Sequence, residues 1–215
     1  MGLVQTGFGF LAGGQRSITL QFATLPVEGN LLIASVVWDS HADTIVLSPP
    51  PGWNRHGDFV YSGSRRVEVW SRLADASPTT DFLWQMSSTS DGIVTGGELS
   101  GVSDVASVVE SSGVLDPPPL SGDIDLWVAG VGAVHFSPTP VNVDFVDMTF
   151  GDSAQTTGGT KLQSSWAWTT GPSLDTLVTG GNGLIVVGFA PPVDPPVDPP
   201  AEQLPAETSV EGVEG

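Results

Sequence analysis

The stretch Arg66-Val67-Glu68-Val69-Trp70-Ser71-Arg72-Leu73 decides the fold class. It alternates at period 2, which sends one set of side chains to a core and the other toward solvent, as in a β-strand. Ser17-Ile18-Thr19-Leu20-Gln21-Phe22 and Ser165-Trp166-Ala167-Trp168-Thr169 read the same way. Between such runs stand turn residues: Leu11-Ala12-Gly13-Gly14, Pro49-Pro50-Pro51-Gly52, Asp116-Pro117-Pro118-Pro119 and Gly180-Gly181-Asn182-Gly183. Strands are expected near residues 3–10, 16–24, 30–38, 43–47, 58–62, 66–73, 80–86, 92–100, 105–110, 124–136, 141–150, 160–169, 174–179 and 183–190, and helix-period patterns are scarce. Short strands at this spacing predict an all-β, two-sheet antiparallel sandwich of jelly-roll type, since a parallel α/β fold needs helices between its strands.

Composition narrows the function. The 215 residues include no cysteine, so disulfides, thiolate metal sites and a thiol nucleophile are all excluded. Twenty-four acidic residues against six basic ones give a formal charge of −18. Such a charge repels nucleic acid and anionic membranes, so neither is expected as a partner; it supports solubility or attraction to a basic surface. No segment approaches the ~20 apolar residues that span a bilayer, and the N-terminus lacks a signal-peptide pattern. Met1-Gly2 with Thr6 fits a myristoylation pattern only loosely, with no basic patch following. A soluble product of the cytoplasm is expected, whatever its final destination.

Composition changes at Ala190. Residues 1–190 read as one β-domain, and 191–215 as an acidic Pro-rich tail with no basic residue. The repeat Pro191-Pro192-Val193-Asp194-Pro195-Pro196-Val197-Asp198-Pro199-Pro200 favours extended polyproline II, which makes no internal hydrogen bonds and rises about 3.1 Å per residue. It serves as a linker, or as an assembly arm lying on a neighbouring subunit. Within the domain, Gly29-Asn30-Leu31-Leu32-Ile33-Ala34-Ser35-Val36 is echoed by Asp123-Ile124-Asp125-Leu126-Trp127-Val128-Ala129-Gly130-Val131, and each run is followed by Ser-Pro, at 48–49 and 137–138. Val69-Trp70 with Gly92-Ile93-Val94 has its counterpart in Trp166-Ala167-Trp168 with Gly183-Leu184-Ile185-Val186. The echo reads as a duplicated half-sandwich, or as the common look of buried strands.

Chemistry is sparse. No phosphate loop, zincin helix, nucleophile elbow or EF-hand spacing occurs, and no cofactor or metal is expected. His41, His56 and His135 lie in separate segments and read as surface or loop residues. Asp123 with Asp125, and Asp144, Asp147 and Asp152, are the acidic groups that a calcium ion or a glycosidase pair would draw on, but their spacing matches no known loop. Seven tryptophans suit core packing. Trp166 and Trp168 share one strand face, so both are buried or both displayed. If displayed, they form a surface contact for a glycan or a protein.

One resemblance rests on Gly29-Asn30-Leu31-Leu32-Ile33-Ala34, Pro51-Gly52-Trp53, Val69-Trp70-Ser71-Arg72-Leu73-Ala74 and Gly97-Glu98-Leu99-Ser100-Gly101-Val102. In order and spacing these resemble a pattern of bacteriophage structural proteins, notably minor tail or capsid-surface proteins of actinobacterial phages. The likeness covers residues 16 to about 110, and the second half follows more loosely. Ser71 stands where that pattern carries Tyr. The resemblance implies a non-enzymatic jelly-roll component of the virion: a minor tail protein, or alternatively a capsid decoration protein. Its partners would be tail or major capsid proteins and copies of itself. A carbohydrate-binding module for adhesion to host surface glycan is the reading from another class.

Overall fold

The structure, a computed structural model, describes residues 2–39, 44–61, 64–76, 79–102, 106–112, 120–121, 126–134, 146–152, 162–170, 173–174 and 183–190. The tail beyond residue 190, His41 and His135 lie outside these, as do Asp123, Asp125 and Asp144. The described residues form thirteen strands and no helix: β1 Gly2–Phe22, β2 Leu31–Asp39, β3 Leu47–Ser48, β4 Asn54–Tyr61, β5 Arg65–Leu73, β6 Asp81–Ser100, β7 Ala106–Ser112, β8 Leu120–Ser121, β9 Leu126–Val134, β10 Val146–Asp152, β11 Leu162–Thr170, β12 Ser173–Leu174 and β13 Gly183–Phe189. All pairings between them are antiparallel. The fold is therefore all-β and antiparallel.

Two differences from the sequence reading have physical causes. The runs expected at 3–10 and 16–24 join into the single β1, and those at 80–86 and 92–100 into β6. The two long strands pair along both arms, with register shifts around Leu11, Gln15 and Ser17 where the ribbon turns. It folds back on itself there, because Gly7 and Gly9 lie against the backbone of Gln21 and Thr19. The second difference is at β5. Its alternation suggested one wet face, yet Val67 to Ser71 are buried on both sides, Glu68 included.

A first sheet runs β1-β6-β2-β5-β4, with β3 added beside β6, and a second runs β10-β11-β9-β13-β7. The central strand β2 is buried on both faces. Leu32, Ala34, Val36 and Trp38 join a cluster with Ile18, Leu20, Phe82 and Trp84 from the folded-back arms of β1 and β6. Leu31, Ile33 and Val37 point the other way, into a cluster with Val128, Trp166, Ile185, Val187 and Phe189 of the second sheet. Both sheets thus contribute to one core. A buried polar link crosses it: Ser164 Oγ lies 3.0 Å from Thr95 Oγ1 and 3.3 Å from the Ser35 carbonyl oxygen, which accepts from it.

The two sheets have corresponding paths. Replacing β1, β6, β2, β5 and β4 by β7, β13, β9, β11 and β10 converts the first into the second. The small β8–β12 pair then matches the second pairing of β1 with β6. Contacts between sheets obey the same exchange: β2 with β11 and β9 with β5, β6 with β11 and β13 with β5, β4 with β13 and β10 with β6, β4 with β7 and β10 with β1.

Candidate functional site

The motif segments that carry the resemblance meet in space. Gly29, at φ +83°, turns the chain into β2, and its N–H donates to the Ala74 carbonyl at 2.9 Å. Ala74 N–H returns a bond to the Asn30 carbonyl at 2.8 Å. Glu98 lies fully buried beneath this turn. Its Oε1 accepts from Asn30 Nδ2 at 2.6 Å and from Val27 N–H at 2.8 Å, and its Oε2 accepts from Gln5 Nε2 at 2.6 Å. A buried carboxylate is tolerated where several donors satisfy it, so Glu98 fastens β1, the 23–30 loop and β6 together. The proline turn is held similarly. Arg72 donates to the Pro51 carbonyl at 3.0 Å and pairs with Asp75 at 2.6 Å, while Trp53 packs on Phe82 and Trp84.

A second carboxylate sits in different surroundings. Glu68 is almost fully buried, accepts from Trp70 Nε1 at 3.0 Å and lies 3.5 Å from Arg55 Nη1. Burial pushes its carboxyl up to about 7 from the usual 4.5, against the opposing pull of Arg55 and of the Trp70 hydrogen bond. Beside it Arg66 pairs with Asp58, and a cleft of about 130 Å³ opens past Trp38, Ile45 and Leu47. A carboxyl poised near neutrality can exchange a proton at physiological pH. The cleft is smaller than the roughly 300–1,000 Å³ of pockets that enclose drug-sized molecules. Sequence reading missed Glu68, because nothing in a period-2 strand distinguishes a polar position facing solvent from one covered by a second layer.

The third feature is a surface. β1 stands at the end of its sheet, and among the described residues it pairs only with β6. The exposed positions of its first arm are Val4, Thr6, Phe8 and Phe10, with the two phenylalanines 57% and 54% exposed. Where the strand folds back, Phe8, Phe10, Gln15, Arg16 and Thr19 line an open groove of about 680 Å³. The Gly-Phe-Gly-Phe sequence at 7–10 explains the display: the glycines take the crowded inner side and leave the phenylalanines outside.

The residues singled out from sequence fall as follows. Trp166 is fully buried, and Trp168 is partly buried against the same cluster, so the pair packs the core and Trp166 has no surface to offer a glycan. His56 Nε2 lies 2.6 Å from Ser71 Oγ, and its ring stands edge-on to Phe189. Asp147 and Asp152 stand five residues apart on β10. Among the described residues no three His, Cys, Asp or Glu side chains gather as a metal site. The arm residues Pro191, Pro192, Asp194, Pro195, Pro196, Asp198, Pro199 and Pro200 lie outside the described residues. Comparisons with protein-family models, curated proteins and solved structures find no match to this chain.

Proposed function

We propose that this chain is a non-enzymatic structural component of a tailed-phage virion, a minor tail protein that displays its β-domain on the particle. The observation that carries the reading is the exposed Phe8 and Phe10, with Val4 beyond Thr6, on an edge strand. Edges of this kind invite pairing with another chain, and soluble proteins normally blunt them with charge or cover. A virion component is covered on assembly, and the repeated geometry of a particle lets weak contacts hold through multiplicity. The motif segments support the same reading, since their joined polar groups fasten strands to one another.

The fold belongs to this proposal in its finer form: a two-sheet antiparallel sandwich of jelly-roll type, residues 1–190, made of two copies of a half. The matching strand paths and the exchange-related contacts support duplication, as does the echo between 29–36 and 123–131.

Immunogold labelling of purified particles with an antibody against residues 1–190 tests the function. Gold at the tail is the expected result. Gold spread over the head would make this a decoration protein, and particles without gold would overturn the virion reading.

A further inference from the structure

We propose that the groove on β1 receives the Pro-rich segment 191–200 of a neighbouring copy, linking copies head to tail. The match is chemical. Polyproline II ligands dock on aromatic-lined grooves, with polar groups bonding their free carbonyls. Here Phe8 and Phe10 supply exposed rings about 7 Å apart along one strand, and Gln15 and Thr19 supply donors. Arg16, exposed on the same groove, makes no ion pair with any described residue.

The three-residue turn of polyproline II puts Pro192, Pro195 and Asp198 on one edge, the first two about 9 Å apart. Two prolines followed by a carboxylate complement two phenylalanines followed by a guanidinium. In a chain of charge −18 with six basic residues, a free arginine among aromatics is the place where an acidic proline arm finds opposite charge.

Geometry selects a neighbouring copy over the same chain. Phe189, near the end of the described chain, lies 5.3 Å from His56 on β4, at the opposite edge of the sheet from β1. The partner row Phe8, Thr95, Ser35, Val69, Gly57 crosses four strand spacings, about 19 Å. Pro192, three residues beyond Phe189, reaches about 11 Å at full extension. Pro192 of the same chain therefore cannot sit on its own Phe8 in this register. An arm at one edge and a receptor at the other make a heterologous contact, which generates rings or filaments.

The proposal needs only the purified chain, so failure of the virion reading leaves it standing. Sedimentation velocity of the full chain at ~0.15 M salt, where charge is screened beyond about 8 Å, should show reversible self-association that a synthetic peptide of residues 191–200 competes away. Arg16→Glu and Asp198→Arg should each weaken it about two- to five-fold, the range for exposed ion pairs, and the two together should restore it. Phe8→Ser with Phe10→Ser should abolish it, with circular dichroism confirming that each variant is folded. A chain monomeric at every concentration would overturn the proposal. So would association lost with the phenylalanines but indifferent to Asp198→Arg and to the peptide, which would mean that two β1 edges pair directly.

Discussion

Glu68 and Glu98 are both buried acidic side chains, on the two strands that flank β2, and their partners give them opposite roles. Glu98 is met by three donors at 2.6 to 2.8 Å, and its loss would take the acceptor from Val27 N–H and Asn30 Nδ2, while Gln5 Nε2 keeps its bond to the Thr24 carbonyl. Glu98→Ala should therefore destabilise the protein by about 1–3 kcal/mol, as measured by urea unfolding, because part-buried donors lose their acceptor. Asn30→Ala, which removes one donor and leaves two, should cost distinctly less. Glu68 behaves differently with pH. Its folded carboxyl titrates near 7 and its unfolded one near 4.5, so the folded state holds the proton more tightly. The stability it contributes is fully present below pH 4.5 and fades as pH rises through 7, by up to about 3 kcal/mol. Glu68→Gln, which cannot ionise, should match the parent near pH 4.5 and exceed it at pH 8. A gap between the two unfolding curves that stays constant from pH 4.5 to 8 would refute the burial-driven shift.

At the scale of elements, the sequence announced strands well and layers poorly. Arg66–Leu73 and Ser17–Phe22 are strands because β-branched and aromatic residues alternate there. The same alternation cannot reveal that the β1–β6 ribbon doubles over and covers the far side of β2, since that depends on contacts distant in sequence. Glycines carry part of the missing information. A Cβ on Gly97 would overlap the Trp166 indole across the two sheets, and one on Gly9 would overlap the Thr19 carbonyl within the folded ribbon. Read from sequence alone, each is only a strand glycine, a sign of close approach to an unnamed neighbour. Gly97→Ala should lower stability by about 1–3 kcal/mol through overpacking. Trp166→Phe in the same chain should recover part of that loss, because the smaller ring vacates the site. A loss in the double variant equal to the sum of the two single losses would mean that the two positions do not meet. The candidate surface was legible in the Gly7-Phe8-Gly9-Phe10 pattern only as an edge segment; the exposure of both rings needed the ribbon's turn.

At the scale of the molecule, the exchange relation between the two sheets makes the chain resemble a dimer whose subunits have been joined. In such an arrangement one half covers an apolar face of the other: Leu31, Ile33 and Val37 of one sheet are covered by Val128, Trp166, Ile185 and Val187 of the other. The polar link from Ser35 and Thr95 to Ser164 spans the same boundary and fixes its register. Two sheets that share their buried faces should unfold together, as single cooperative units do. Tryptophan fluorescence reports chiefly on the first sheet through Trp38, Trp53, Trp70 and Trp84, while far-ultraviolet circular dichroism reports on all strands. Their urea transitions should coincide in midpoint and slope. Trp166→Ala should shift both together by about 3–5 kcal/mol, the cost of emptying a buried aromatic site. Separate transitions would mean that the first sheet, closed over its own second cluster by the folded ribbon, is stable without its counterpart. The joined halves would then be independent units that merely touch.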